Sequence, residues 1–276
     1  MSRRVYYWVV SRGMPKICFV SVDVEPDFGQ DGFIGVEHLT DTLDIFDRYD
    51  IPATLFVTGE ALAAYKESFE SLAGVHEIAC HGFSHRFWNV LPPGERIAEI
   101  ERFKGTYQEM FGKEPKGFRA PSHLMDEAGM EILEENNFTY DSSVVPHYPF
   151  FKKYRGYQGP APQKPYYPSF ENIRQPGNMA VLEIPNTGHF LGIPLAGAWI
   201  AKLPLLAYQT LFALYEPRFI SLAVHSWNVL DNPIDKNYSA SFLQKLDGLV
   251  AMLKKRGYQF LTGEQIANDY SKLFGN

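Results

Sequence analysis

A chain of 276 residues that is 45% hydrophobic and 15% aromatic can bury a full core without disulfide staples, which excludes a disordered or fibrous protein. Its 26 Lys and Arg against 32 Asp and Glu leave a formal net charge of −6, so nothing drives the whole molecule toward phosphate backbones, and no nucleic-acid partner is expected. The two cysteines, Cys18 and Cys80, cannot build a disulfide framework and belong to no CxxC pair, so a reducing, cytoplasmic setting is expected.

At the N-terminus the apolar run from Val5 to Val10 is too short for the core of a signal peptide, and no small-residue cleavage site follows. Residues 1–16 are read as an extension or an edge strand, and 17–276 as one domain. Ile17–Val22 is a β-branched apolar run ending in acids, the pattern of a buried parallel strand. Val36 to Tyr49 reads as a helix, and Ala53–Val57 as the next strand. The beat continues with helix Glu60–Phe69, strand Glu77–Cys80, helix Glu95–Phe111, strand Gly117–Arg119, helix Asp126–Asn136 and strand Phe138–Asp141.

From Ser142 to Ala180 seven prolines and many tyrosines break the pattern, as expected of a long loop that covers a site. Regularity returns with strand Val181–Ile184, helix Ala198–Tyr215, strand Phe219–Val224, helix Ser239–Lys255, strand Tyr258–Leu261 and a last helix opened by Thr262. Strand–helix alternation implies an α/β fold with a parallel sheet, and seven or eight units favour a barrel over two domains.

Three constellations follow predicted strands, where barrel loops build active sites. Asp23-Val-Glu25-Pro-Asp27 ends the first strand, and the two-residue alternation puts Asp23 and Glu25 on one side. Clustered carboxylates are costly without a cation or a task. His81-Gly-Phe-Ser-His85 follows the third strand, at a spacing that lets two imidazoles converge on one metal. A carboxylate and two histidines make a three-ligand set that leaves a place for water. Cys80 reads as a buried strand residue rather than a thiolate ligand. His225 closes the late strand Leu222-Ala-Val-His225, Asp141 stands at another strand end, and Arg119 is a cation able to orient the acids.

In order, the blocks Ser21-Val-Asp-Val-Glu25, His76 to His85, Phe118-Arg-Ala-Pro-Ser122, Tyr140-Asp-Ser-Ser143 and Leu222-Ala-Val-His225 resemble the polysaccharide deacetylases of carbohydrate esterase family 4. The resemblance implies a distorted (β/α)7 barrel, a divalent metal, most simply Zn2+, and removal of N-acetyl groups from an amino sugar or polysaccharide. It implies Asp23 as general base, His81 and His85 as metal histidines, Arg119 as partner of the base, the Ser122 N–H as oxyanion donor and His225 as general acid. Asp141 is then the partner of His225, and Leu222 lies beside the acetyl methyl. Val24 stands where the family usually has a second aspartate, so Glu25 is taken as the acidic ligand, as in an Asp-Val-Glu subgroup, with Asp27 the fallback. The usual fourth-motif tryptophan is absent, and Trp227 or Trp88 is expected in its place.

Two rival readings stand beside this one: a metal-independent hydrolase of ureides or cyclic imides, and a carbohydrate-binding protein on a decayed scaffold. Gly188 to Tyr215 carries a single charge, Lys202, and its prolines and glycines argue against a spanning helix. It reads either as a buried barrel segment or as an apolar lip for peripheral membrane contact.

Overall fold

The computed structural model describes residues 15–28, 32–148, 154–187, 193–230 and 241–275. The N-terminal extension or edge strand expected before Pro15 lies outside them. Among the described residues nine strands form one parallel sheet: β1 (Ile17–Val24), β2 (Thr54–Val57), β3 (Glu77–Cys80), β4 (Gly117–Phe118), β5 (Tyr140–Asp141), β6 (Leu182–Glu183), β7 (Leu195–Ala196), β8 (Phe219–His225) and β9 (Gln259–Leu261). Their order is β6-β5-β4-β3-β2-β1-β8-β7. β9 pairs with Ile17–Phe19 at the start of β1, while β2 pairs with Ser21–Val24 at its end. No ladder joins β6 to β7 among the described residues, so the curled sheet keeps an open seam. This is the α/β fold with the distorted barrel that the strand–helix beat predicts.

Parallel strands buried on both faces read as unbroken apolar runs, and all eight residues of β1 are buried. Alternation sorts them into two layers. Ile17, Phe19, Phe56, Ala79, Tyr140, Leu182 and Phe219 fill the barrel interior. Cys18, Val20, Val22, Leu55, Val57, Cys80, Leu222 and Val224 pack outward beneath the helices. Asp23 shares the parity of Phe19, so β1 delivers it to the interior at its C-terminal end, beside its register partner His225 on β8.

The helices are more broken than the sequence suggests. The stretch 36–49 divides at His38 into α1 (Ile34–Glu37) and α2 (Leu39–Asp47), and 60–69 divides at Tyr65 into α3 (Gly59–Ala64) and α4 (Lys66–Leu72). α5 (Pro93–Phe111) is followed by α6 (Glu127–Glu135). The apolar stretch splits into α7 (Gly197–Lys202) and α8 (Leu205–Leu214) because Pro204, lacking an N–H, cannot continue a helix. After α9 (Ser241–Lys255), α10 (Gly263–Asn268) opens on a Thr262–Gln265 capping box and leads to α11 (Tyr270–Phe274). β7 was not anticipated, since two residues carry no periodicity. Among the described residues no helix is long and apolar enough to cross a membrane.

Asp126 holds α5 to α6. Its carboxylate caps α6 through Gly129 N (2.8 Å) and pairs with both terminal nitrogens of buried Arg96 (2.5 and 2.9 Å). Asp126→Ala removes a cap and leaves the Arg96 cation without its partner, so urea unfolding should show a loss of about 2 kcal/mol at unchanged m-value.

Candidate active site

The C-terminal ends of β1, β3, β4 and β8 converge on one spot, and each supplies a polar side chain. β1 contributes Asp23 and, just beyond, Glu25; both are buried. Past β3, the chain turns through Gly82 (φ 74°) to His85 (φ 53°), and these left-handed residues fold the His81–His85 turn back on itself. β4 delivers Arg119, fully buried, and β8 delivers His225.

Glu25 Oε2 lies 3.1 Å from His81 Nε2 and 2.6 Å from His85 Nε2. One ligand atom from each of Glu25, His81 and His85 falls within 4.8 Å of the others, a set suited to a single metal ion. The donor chemistry fits a cation. His81 Nδ1 lies 2.8 Å from the Arg119 carbonyl, which can only accept, so Nδ1 donates there and Nε2 is the nitrogen left facing Glu25. His85 Nε2, despite its short contact, makes no hydrogen bond of acceptable geometry. Two imidazole nitrogens converging on one carboxylate oxygen are the donor set a divalent cation takes. Burial would raise the Glu25 carboxyl, yet the imidazoles beside it hold it well below the usual range. Burial would lower the His85 imidazole, but Glu25 and Asp23 raise it. The other Glu25 oxygen accepts the Trp227 indole N–H at 3.0 Å.

Asp27, the fallback acid, is engaged elsewhere. It accepts from Ile34 N (2.7 Å) and Gly35 N (2.9 Å) and so anchors α1. A side chain at Gly35 would meet the Trp227 backbone at 2.7 Å, so α1 lies directly on the turn that carries Trp227.

Beside the triad, Arg119 pairs with Asp23 Oδ1 at 2.5 Å. Burial would raise Asp23, but the guanidinium, with His81 and His225, lowers it, leaving a carboxylate. His225 Nε2 stands 3.9 Å from Asp23 Oδ2 and 3.8 Å from Glu25 Oε1, and its ring stacks on Trp227 at 4.4 Å. Ser122 sits at φ 55°, in the turn after Arg119-Ala-Pro121.

Three sequence assignments need correction. Asp141 is not the partner of His225: it accepts from Ser143 Oγ (2.7 Å) and Ser143 N (3.0 Å) and faces Glu183. Burial and the neighbouring Asp141 raise Glu183 well above the usual carboxyl range. Leu222 packs outward beneath the helices, because three residues from His225 is the opposite parity; Ala223 is the residue facing inward. Trp88 is buried against Phe118 at 4.4 Å and forms no groove wall. Trp227 does belong to the site, but it grips Glu25, with half-exposed Phe28 packed on it at 5.3 Å.

His123 was overlooked. It is buried beside Arg119 and Asp23, which shape its titration: burial and Arg119 push its imidazole down to about 3, so it is neutral at pH 7. Its ring lies 6.2 Å from that of Tyr154, in the proline-rich excursion, which also packs on Tyr148. Adjacency to Ser122 was the available signal. Ser21 and Ser142, which hold Arg119, were missed as well, although Ser21 shares the parity of Asp23.

Fold and site together define a parallel α/β barrel with a carboxylate and two histidines at its catalytic face. Residues 16–140, a little under half of the chain, match the polysaccharide deacetylase family. Over 119 residues, 42% of this chain and 34% of the relative, it is 30% identical to a peptidoglycan deacetylase-like protein of Gibberella zeae. Over 124 residues, 45% of this chain and 42% of the relative, it is 26% identical to a peptidoglycan deacetylase of Helicobacter pylori. The match thus spans well under half the length of these curated relatives. Among solved structures, Puue allantoinase superposes with a TM-score of 0.67 at 16% identity, covering 96% of this chain and 93% of that one. A CE4 family pseudoenzyme from Bacillus anthracis gives 0.58 at 11% identity, covering 92% and 66%. At such identities the likeness is one of fold.

The Trp227 indole gives the site a direct check. Trp227→Phe keeps a ring against His225 and removes the N–H on Glu25, so affinity for a divalent cation, read by chelator competition, should fall about 10-fold without loss of the thermal transition.

Proposed function

We propose that the protein is a metal-dependent N-deacetylase acting on an N-acetylated amino sugar or glycan, with residues 17–276 as its catalytic domain. The observation that carries this reading is the convergence of Glu25, His81 and His85 beside the Arg119–Asp23 pair, with His225 facing both carboxylates. Glu25, His81 and His85 would hold a divalent cation, most simply Zn2+, which when bound supplies Lewis-acid activation of the water and of the amide carbonyl.

The chain's own groups divide the remaining work. Arg119 keeps Asp23 ionised and aimed at the site, so Asp23 takes a proton from the attacking water. The Ser122 N–H, in its left-handed turn, is the donor suited to the developing oxyanion. His225 passes a proton through Nε2 to the departing amine, its ring held by the Trp227 stack. Trp227 orients Glu25, and Ala223 lines the interior where Leu222 was expected.

Five variants assayed for metal content beside turnover on one acetamide substrate test this division. His81→Ala, His85→Ala and Glu25→Ala should lose metal and activity together. Asp23→Asn should keep metal and lose about 10²–10⁴ in rate, and His225→Ala should keep metal with amine expulsion impaired. Full activity in Asp23→Asn sinks the mechanism. Metal-free turnover of a ureide or cyclic imide would put a different hydrolase in its place, and metal binding without hydrolysis of any acetamide would leave a carbohydrate-binding protein.

The free, buried thiols of Cys18 and Cys80, pushed up by burial, suit a cytoplasmic setting. Peripheral contact with a membrane that presents a lipid-linked sugar is supported by α8, which carries no charge and exposes Leu206 and Leu214. Co-sedimentation with liposomes should fall on Leu206→Ser with Leu214→Ser; absence of any binding by the unaltered protein ends this part of the reading.

A further inference from the structure

Resting on the metal-centre reading above, we infer that Glu99 is a positioning residue for that centre: its carboxylate holds the turn between the two histidines in the geometry that brings His85 to Glu25. Glu99 projects from α5 and is 4% exposed. Its Oε2 accepts from the backbone N–H of Phe83 (2.9 Å) and of Ser84 (2.8 Å), and its Oε1 accepts from Ser84 Oγ (2.7 Å). From the other side, Gly59 N and Glu60 N at the start of α3 donate to the carbonyls of Gly82 and Phe83, each at 3.0 Å. The two peptides between the histidines are thus gripped through their donors by α5 and through their acceptors by α3.

The two histidines depend on this grip unequally. His81 has anchors of its own: its N–H donates to Val57 O (3.0 Å) and its Nδ1 to Arg119 O (2.8 Å). His85 lies at the far end of the turn, at φ 53°, after Gly82 at φ 74°. Left-handed residues without a glycine persist where the surroundings over-determine them, and three hydrogen bonds to one carboxylate do so here. Without Glu99, two half-buried N–H groups lose their acceptor, the turn relaxes, and His85 leaves the point it shares with His81 above Glu25.

Zinc affinity by competition with a chromogenic chelator, amide hydrogen exchange at Phe83 and Ser84, and thermal melting, compared across the unaltered protein, Glu99→Ala, Glu99→Gln and His85→Ala, test the inference. Glu99→Ala should bind zinc about 10- to 100-fold more weakly and should exchange the Phe83 and Ser84 amides faster. Glu99→Gln, whose amide oxygen still accepts from both N–H groups, should stay within about threefold of the unaltered protein. A lowered melting point with unchanged zinc affinity in Glu99→Ala overturns the inference and leaves the metal centre standing, as does Glu99→Gln binding as weakly as Glu99→Ala. Failure of the unaltered protein to bind zinc overturns the metal-centre reading, and the inference with it. Should Glu99→Ala not fold, Ser84→Ala, which removes only the Oγ bond, should weaken zinc about two- to fivefold, and unchanged affinity there counts against Glu99 equally.

Discussion

Arg119 is the fixed point of this molecule. Its guanidinium is fully buried at the end of β4 and donates to Ser142 O (2.9 Å), Ser142 Oγ (2.9 Å), Ser21 Oγ (3.0 Å) and Asp23 (2.5 Å), while lying 4.1 Å from the Phe56 ring. Its backbone accepts from His81 Nδ1 and donates to Cys80 O. One residue therefore links β1, β3, β4 and β5 at the end where the site lies. Breaking a buried ion pair from one side typically costs about 3–5 kcal/mol, because the remaining charge is stranded. Here the same pairing lowers the Asp23 carboxyl against the effect of burial, so the constraint that stabilises the barrel top also prepares the base proposed for it.

Around that point the site is organised in shells that depend on different elements. Glu25 takes its orientation from Trp227 on the turn after β8, and that turn is seated against α1 through Gly35. α1 is in turn anchored by Asp27, so an acid two residues from Glu25 serves the site without entering it. Beneath Ala120, Ser143 Oγ accepts the backbone N–H while donating to Asp141, and Asp141 faces Glu183, whose carboxyl it and burial raise. The fourth motif thus supports the backbone of the Arg119–Ser122 turn from below, a task different from holding His225.

The strand–helix beat, the strand-end acids and the His81–His85 pair were legible in the sequence because each rests on local spacing: two-residue alternation for Asp23 and Glu25, and one turn between the imidazoles. Parity was equally available at β8, and applying it there would have placed Ala223 rather than Leu222 inside the barrel. The helix breaks at His38 and Tyr65 were not legible, since neither position carries a proline or glycine; the break at Pro204 was.

The sequence by itself determined an α/β barrel-type chain with carboxylates and histidines at the ends of its strands, because those features follow from periodicity and residue chemistry along the chain. Only the tertiary structure decided which of them meet. Finding Asp27 engaged elsewhere required knowing where α1 sits; releasing Asp141 from His225 required the β5–β6 pairing that sets it against Glu183; and finding Glu99 required the packing of α5 on the His81–His85 turn. These partners lie from 7 to 42 residues apart, and such contacts arise from how elements stack rather than from any local pattern.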